Sequence, residues 1–418
     1  MRPIRYIKLW TVDAFHVWRR ELQLSMSDGG VVIFFLLVCA VYPLLYALIY
    51  NTETAHDVPV VVVDDDRSQP SRHYVRMLDG TPEVAVVGYA ANMQEAQTAM
   101  HEKRCYGIVH IDRDYSAALN RNEQAHVNVY TDRGVLLHYK QIVIATTNVQ
   151  QQVWSEKQQA VLGAVTTGGA IIENEQVPLG NTAMGLASAV LPCILLLVLQ
   201  QTMLLGIGML HGGSRERRLQ NRGIDPKEVP AGVGASIIGK AACYVLIYLV
   251  PTVYVLHLVP MIFDFPQNGR LGDILAMTLP FLIATAFMGQ ALKIFVNDRE
   301  STFITIAFTS VIFVFLTGIS WPRASMAPWW IAVGNMIPGT WASNGYIAMQ
   351  TGGATLKQIP LNYYMLWILV GFYFVVAYCV EHFLCRRRWK RMQYYAEKDP
   401  KSLMRVELRR QAVDIIDD

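Results

Sequence analysis

The sequence is short of charge. Of its 418 residues only 17% are charged, while 53% are hydrophobic. Soluble globular domains carry about 25% charged residues, so an ordinary soluble fold is excluded. The net charge of +3 is too small to mark a nucleic-acid partner. Cysteine is scarce as well, with six in all. Cys39, Cys193, Cys243, Cys379 and Cys385 fall in or beside apolar runs. Cys105 alone falls outside them, so the polar part of the chain has no disulfide of its own. No CxxC pair or Cys/His spacing points to zinc. Gly-x-Ser-x-Gly, His-Glu-x-x-His and paired intramembrane aspartates are all missing, so no catalytic set is visible and no cofactor is implied. The N-terminus has no short apolar core followed by a small-residue cleavage site, unlike a cleavable signal peptide.

Long apolar runs are what the chain has. They cover Gly30–Tyr50, Thr182–Leu210, Val233–Val259, Ile274–Val296, Thr302–Ser320 and Tyr363–Leu384. A hydrocarbon core of about 30 Å needs roughly 20 helical residues, so the six runs predict six transmembrane helices. Pro43, Pro192, Pro251 and Pro280 inside them are compatible with membrane helices, where neighbours satisfy the freed carbonyls. Acidic residues occur only near span ends, at Asp273 and Glu381, with His257 close to another end. Interfacial placement is expected for all three. A proton- or ion-coupled carrier, which needs charges near the midplane, is disfavoured.

Basic residues orient the spans. Arg2, Arg5, Lys8, Arg19 and Arg20 precede the first span, and Arg215, Arg217, Arg218, Arg222 and Lys227 follow the second. Lys293 and Arg299 flank the turn after the fourth, and a run from Arg386 to Arg391 follows the sixth. With six spans all of these share one side, expected to be cytoplasmic, with both termini. The opposite loops hold only a few, such as Arg270, Arg323 and Lys357.

The expected organisation is as follows. Residues 1–28 form an amphipathic cytoplasmic helix, with Ile7, Trp10, Ala14, Trp18 and Leu22 on one face and basic residues on the other, suited to a membrane interface. Residues 29–50 form the first span. Residues 51–180 form an extracytoplasmic α/β domain. Strands are expected at Val58–Val63, Glu83–Val87, Gly107–Ile111 and Val127–Tyr130, with helices at Ser68–Leu78 and Asn92–Lys103. The Gln-rich stretch from Tyr139 to Leu162 reads as a helical stalk, broken by Gly168-Gly169. Residues 181–385 hold the other five spans, with a cytoplasmic loop at 211–232, and residues 386–418 form a basic cytoplasmic tail.

Three motifs compete with simpler readings. Gly234-Ala-Ser-Ile-Ile-Gly-Lys240 matches seven positions of a phosphate-binding loop, but Ala241 stands where Ser or Thr is required and no strand precedes it. Small residues at a helix contact, with Lys240 reaching the interface, is the preferred reading. Asp64-Asp65-Asp66 reads as helix-start chemistry before Ser68 rather than as a cation site. Residues 321–350 hold apolar pieces too short to span, divided by Pro322, Pro328 and Pro338 and rich in tryptophan (Trp321, Trp329, Trp330, Trp341). They read as re-entrant or interfacial helices.

These features together resemble the membrane subunit of type-2 ABC exporters, over nearly the whole length. An amphipathic elbow precedes the first span. Arg215-Glu216-Arg217, with Arg218, sits where that family has its ATPase-contacting segment, although the Gly-Thr-x-Glu that usually follows is absent. Gly239-Lys240 opens the next span. Gly318, Pro322, Ser325-Met326, Pro328-Trp329 and Pro338-Gly339-Thr340 follow the family order after the fifth span. Val60–Asp64, Ser71-Arg72 and Gly107–Ile111 are similar to the subgroup with a large extracytoplasmic α/β domain. The resemblance implies a permease in a bacterial inner membrane, exporting an amphiphilic substrate such as a drug, lipid-like molecule or envelope component. It implies as partners a separate ATP-binding subunit, a second copy or sister permease, and a periplasmic adaptor with an outer-membrane channel. The competing reading is a membrane-anchored sensor or envelope-assembly scaffold acting through its external domain.

Overall fold

The structure, a computed structural model, describes residues 3–49, 55–121, 123–132, 134–162, 186–221, 225–319 and 321–398. The expected break at Gly168-Gly169 and the tail beyond residue 398 lie outside the described residues. The chain divides into two compact units, one of Met1–Asn51 with Leu179–Asp418 and one of Thr52–Pro178.

In chain order, the first unit opens with α1 (Pro3–Ser27) and α2 (Gly29–Ile49). The inserted unit holds β1 (Val58–Asp64), α3 (Gln69–Asp79), β2 (Val84–Tyr89), α4 (Met93–His101), β3 (Gly107–Ile111), α5 (Tyr115–Asn120), β4 (Val127–Thr131) and α6 (Leu136–Leu162). The first unit resumes with α7 (Leu186–Gln220), α8 (Val233–Ile262), α9 (Leu271–Leu292) and α10 (Arg299–Leu316). It ends with α11 (Pro328–Asn335), α12 (Pro338–Gln350) and α13 (Pro360–Lys398).

The inserted unit is a four-stranded sheet ordered β2-β1-β3-β4, with β4 alone antiparallel. The valine run of β1 is apolar at successive positions because both faces of a central strand are covered. Val60 and Val62 pack with Tyr74, Val75 and Leu78 of α3, while Val61 and Val63 pack with Ala96 and Ala99 of α4. Helix α3 starts at a Ser68–Ser71 capping box, and Asn92 caps α4 by accepting the Glu95 N–H at 2.9 Å. The Gln-rich stretch after Tyr139 is helical, as expected, and the first half of α6 packs on the sheet. Ile142, Ala145 and Val149, spaced 3 and 4, are buried against the sheet. The approach is close enough that a Cβ on Gly107 would stand 2.7 Å from Ile142 Cδ1.

Among the described residues of the first unit, six helices are long and apolar enough to cross a membrane: α2, α7, α8, α9, α10 and α13. With the inserted α/β unit they make the chain a polytopic helical membrane protein. Helix α7 is the most enclosed of the six. Its glycines are notches. A Cβ on Gly206 would meet the Phe35 ring at 1.8 Å, and one on Gly208 would meet Thr302 at 2.4 Å. Phe35 in turn lies edge-on to Tyr244 and Tyr248, with ring centroids 6.1 and 5.2 Å away.

Helices α2 and α8 each contain a widened π turn, at Ile33–Val38 and Tyr254–Leu258. Such turns leave carbonyls in need of donors. Tyr254 supplies one across the pair, donating to the Ala40 carbonyl at 3.0 Å.

Candidate functional site

The segment Arg215–Arg218 was expected on a loop. It is instead the last turns of α7, which stays helical to Gln220. Arg, Glu, Leu and Gln are good helix formers. Gly212 and Gly213 let the helix pass against the start of α10, where a Cβ would fall 2.7 Å from backbone and side-chain atoms of Asp298 and Arg299.

The four charged residues are held in two places, the segment that opens α10 and the turn before α8. Arg215 donates to the Val296 carbonyl at 3.2 Å. Glu216 accepts the Arg299 backbone N–H at 3.0 Å, and the Arg299 guanidinium also bonds Asp28, between α1 and α2. Arg217 grips Asp225 through two bonds of 3.0 Å. Arg218, itself buried, bonds Glu228 at 2.9 and 3.2 Å. All four are therefore engaged by their own chain, with Arg218 buried and the other three partly exposed. What this end of the unit exposes is Leu219, Gln220, Asn221, Pro226 and Lys227. Residues 222–224 lie outside the described set.

Asp225 is the pin of this turn. Burial raises its pKa, but bonds from Arg217, from the Ser214 hydroxyl at 2.7 Å and from the Lys227 N–H at 3.0 Å outweigh that and hold it below the usual carboxylate range.

Helix α1 lies along α8, and Gly239 is the crossing point. A Cβ there would stand 2.5 Å from the Ala14 carbonyl and 3.0 Å from Val17. The Gly-Lys pair thus serves helix packing, inside a continuous helix, and not a phosphate loop. Ala14, Val17 and Glu21 make the contact face, and the Glu21 carboxylate accepts from the Tyr244 hydroxyl. A cavity of about 60 Å³ lies beside it, lined by Glu21, His211, Ser214, Lys240, Gln290 and Lys293 among others. That is room for a few waters.

Glu381, expected at an interface, is buried within the bundle and accepts from the equally buried Lys293 ammonium at the end of α9. The sequence signal was present in two isolated charges ending apolar runs. Their pairing across 88 positions needed the fold.

At residues 321–350 the structure places two short helices. Pro328 and Pro338 sit in the first turns of α11 and α12, where a missing N–H costs nothing. Pro322 opens the short turn Arg323–Ser325. Trp329 is exposed and stacked on Trp330 at 3.9 Å. The pair of helices is pinned by polar side chains that sequence reasoning passed over. Gln200 of α7 accepts the Gly339 N–H at 2.6 Å, Asn362 donates to the Trp341 carbonyl at 3.0 Å, and Tyr373 donates to the Met336 carbonyl at 2.7 Å. Tyr346 donates to the Leu256 carbonyl at 2.6 Å. Pro260, four residues on, has no N–H to offer that carbonyl.

In the inserted unit, Asp64 accepts from the Arg67 N–H and the Ser71 hydroxyl at 2.9 and 2.7 Å. Asp66 accepts from the Ser116 hydroxyl at 2.8 Å, and Asp65 lies 3.1 Å from His110 Nε2. The triad is engaged in helix-start and strand-end contacts. Among the described residues no group of three or more His, Cys, Asp or Glu side chains is placed to hold a metal.

No curated protein matches this sequence. The family described as ABC-2 family transporter protein matches residues 29–379. Its members are membrane components of transport, and membership implies a partner ATP-binding subunit. With most of its length matched and six apolar helices in place, the chain belongs to the ABC-2 transporter family, as a multi-pass permease subunit.

Proposed function

We propose that the chain is the permease of an ATP-driven exporter, with its basic ends and the α7–α8 turn in the cytoplasm of a bacterium and its inserted unit outside. The observation that carries this is the clamped end of α7. A helix that runs through the middle of the membrane unit finishes in ion pairs to the start of α10 and the turn before α8, and its α10 partner, Arg299, in turn bonds Asp28 at the α1–α2 junction. A push on the exposed residues Leu219, Gln220, Asn221, Pro226 and Lys227 would therefore reach most of the bundle. The asymmetry of Lys and Arg between loops supports the orientation.

A second copy or sister permease completes the pathway, since one chain of this family pairs across it in the resemblance drawn above. The pinned helices α11 and α12 shape its outer part, and the inserted unit gates the exit or docks an adaptor and outer-membrane channel. A substrate with a large apolar part suits spans whose interior carries few charges.

The test is site-specific photo-crosslinking from Leu219, Asn221 and Lys227 in the complex with the ATP-binding subunit encoded nearby. Crosslinks to that subunit are the expected result. Crosslinks to no ATP-binding protein, with normal function after replacing the tip, would favour the sensor or scaffold reading.

A further inference from the structure

The end of α7 begins a chain of alternating charges that leads into the bundle. Arg218 bonds Glu228, and Glu228 Oε1 lies 3.3 Å from an Arg388 nitrogen. The same nitrogen lies 3.2 Å from Glu381 Oε1, and the other Glu381 oxygen takes the Lys293 ammonium. The five side chains come from α7, the turn before α8, α13 and the end of α9. The two innermost groups are the most buried, at 7% exposure for Glu381 and 5% for Lys293, against 10% for Arg218, 26% for Glu228 and 20% for Arg388.

A static fastener would not be built this way. Desolvating two charges cancels much of their attraction, and a buried pair replaced by apolar residues of similar size is often no less stable. The packing of α9 on α13 has other support, such as Phe287 edge-on to Phe374 at 5.3 Å. What the pair adds is direction. A charge series has one low-energy register, so displacing Glu228 displaces Arg388, then Glu381, then Lys293.

We propose that Glu381 and Lys293 are positioning residues that carry the movement of the α7–α8 turn into α9 and α13, an inner branch separate from the surface clamp on Arg299. The proposal rests on the reading of this end as the ATPase-facing one.

The experiment uses the full chain with its ATP-binding subunit in nanodiscs, with spin labels on unnatural amino acids. One label pair, Val12 and Pro230, is exposed and reports arrival of the ATP-driven movement at the turn before α8. The other, Ile49 and Leu361, is also exposed and reports the far ends of α2 and α13. Distances are compared with and without ATP and vanadate. In the unaltered chain both distances shift. In the Lys293→Met/Glu381→Leu double variant the first shift persists and the second is lost. Glu381→Asp, which keeps the sign of the charge between Arg388 and Lys293, restores part of the second shift, and Glu381→Gln serves if the apolar pair does not assemble. A second shift that survives in the apolar or Gln variant overturns the relay and leaves the pair as packing. Absence of the second shift in the unaltered chain also overturns it. Absence of the first shift there overturns the ATPase-facing reading itself.

Discussion

Gly239 illustrates how much one missing atom decides. Its hydrogen lets the Ala14 carbonyl and Val17 approach α8, and any Cβ would overlap the carbonyl at 2.5 Å. Backbone cannot step aside as a flexible side chain can, so Gly239→Val should cost about 1–3 kcal/mol by overpacking. It should also detach α1, read as loss of a disulfide engineered between the two helices. Asp225 is a second single-residue lever. Its pKa is lowered in the folded chain, so its contribution is present above the ordinary carboxylate value and fades as pH falls through the lowered folded value. Acidification into that range should raise hydrogen exchange in the 214–228 segment. Asp225→Asn should show the raised exchange at neutral pH and little further change on acidification. Unchanged protection in the variant would contradict the pin. The Gly-Lys pair was legible in the sequence as helix packing because no strand preceded it. Asp225 was not, because nothing local distinguishes it from any other loop acid.

At the scale of elements, α8 and α12 share a dependence on Pro260. The Leu256 carbonyl takes the Tyr346 hydroxyl, and Pro260, four residues on, has no N–H to give it. Tyr346→Phe should therefore cost about 1–3 kcal/mol, the range for an orphaned buried group. Adding Pro260→Ala should recover part of it by restoring the N–H. Thermal unfolding in nanodiscs reads both, and an equal loss in the single and double variants would sink the assignment. In the inserted unit, Ile142→Ala should cost about 2–5 kcal/mol, because Ile142 is fully buried between α6 and the sheet. A free stalk would be indifferent to it. The spans were legible because an apolar run of sufficient length has few alternatives in sequence space. The sheet was legible from β-branched runs between helix-start residues. The helix of α6 was legible, but its contact with the sheet was not, because its polar glutamines obscured three apolar positions at helical spacing. The extension of α7 was missed because charged residues ending an apolar run look like the onset of a loop.

For the whole molecule, composition and loop charge indicated the class, and the order of motifs indicated the family before any coordinates. What remained hidden was connection. Lys293 and Glu381 are 88 positions apart, and Asp28 and Arg299 are 271 apart. No periodicity links such residues; only the packed bundle does. These long-range charge contacts converge on one end of the membrane unit, around the last turns of α7. A transporter driven from elsewhere would have little use for that convergence. The most direct measurement is ATP hydrolysis by the partner ATP-binding subunit in nanodiscs, with and without this chain. Hydrolysis should rise when the chain is present, and the rise should vanish when the exposed tip residues Leu219, Asn221 and Lys227 are replaced together by glutamate. Hydrolysis indifferent to the chain, or stimulation that survives the tip replacement, would contradict the account.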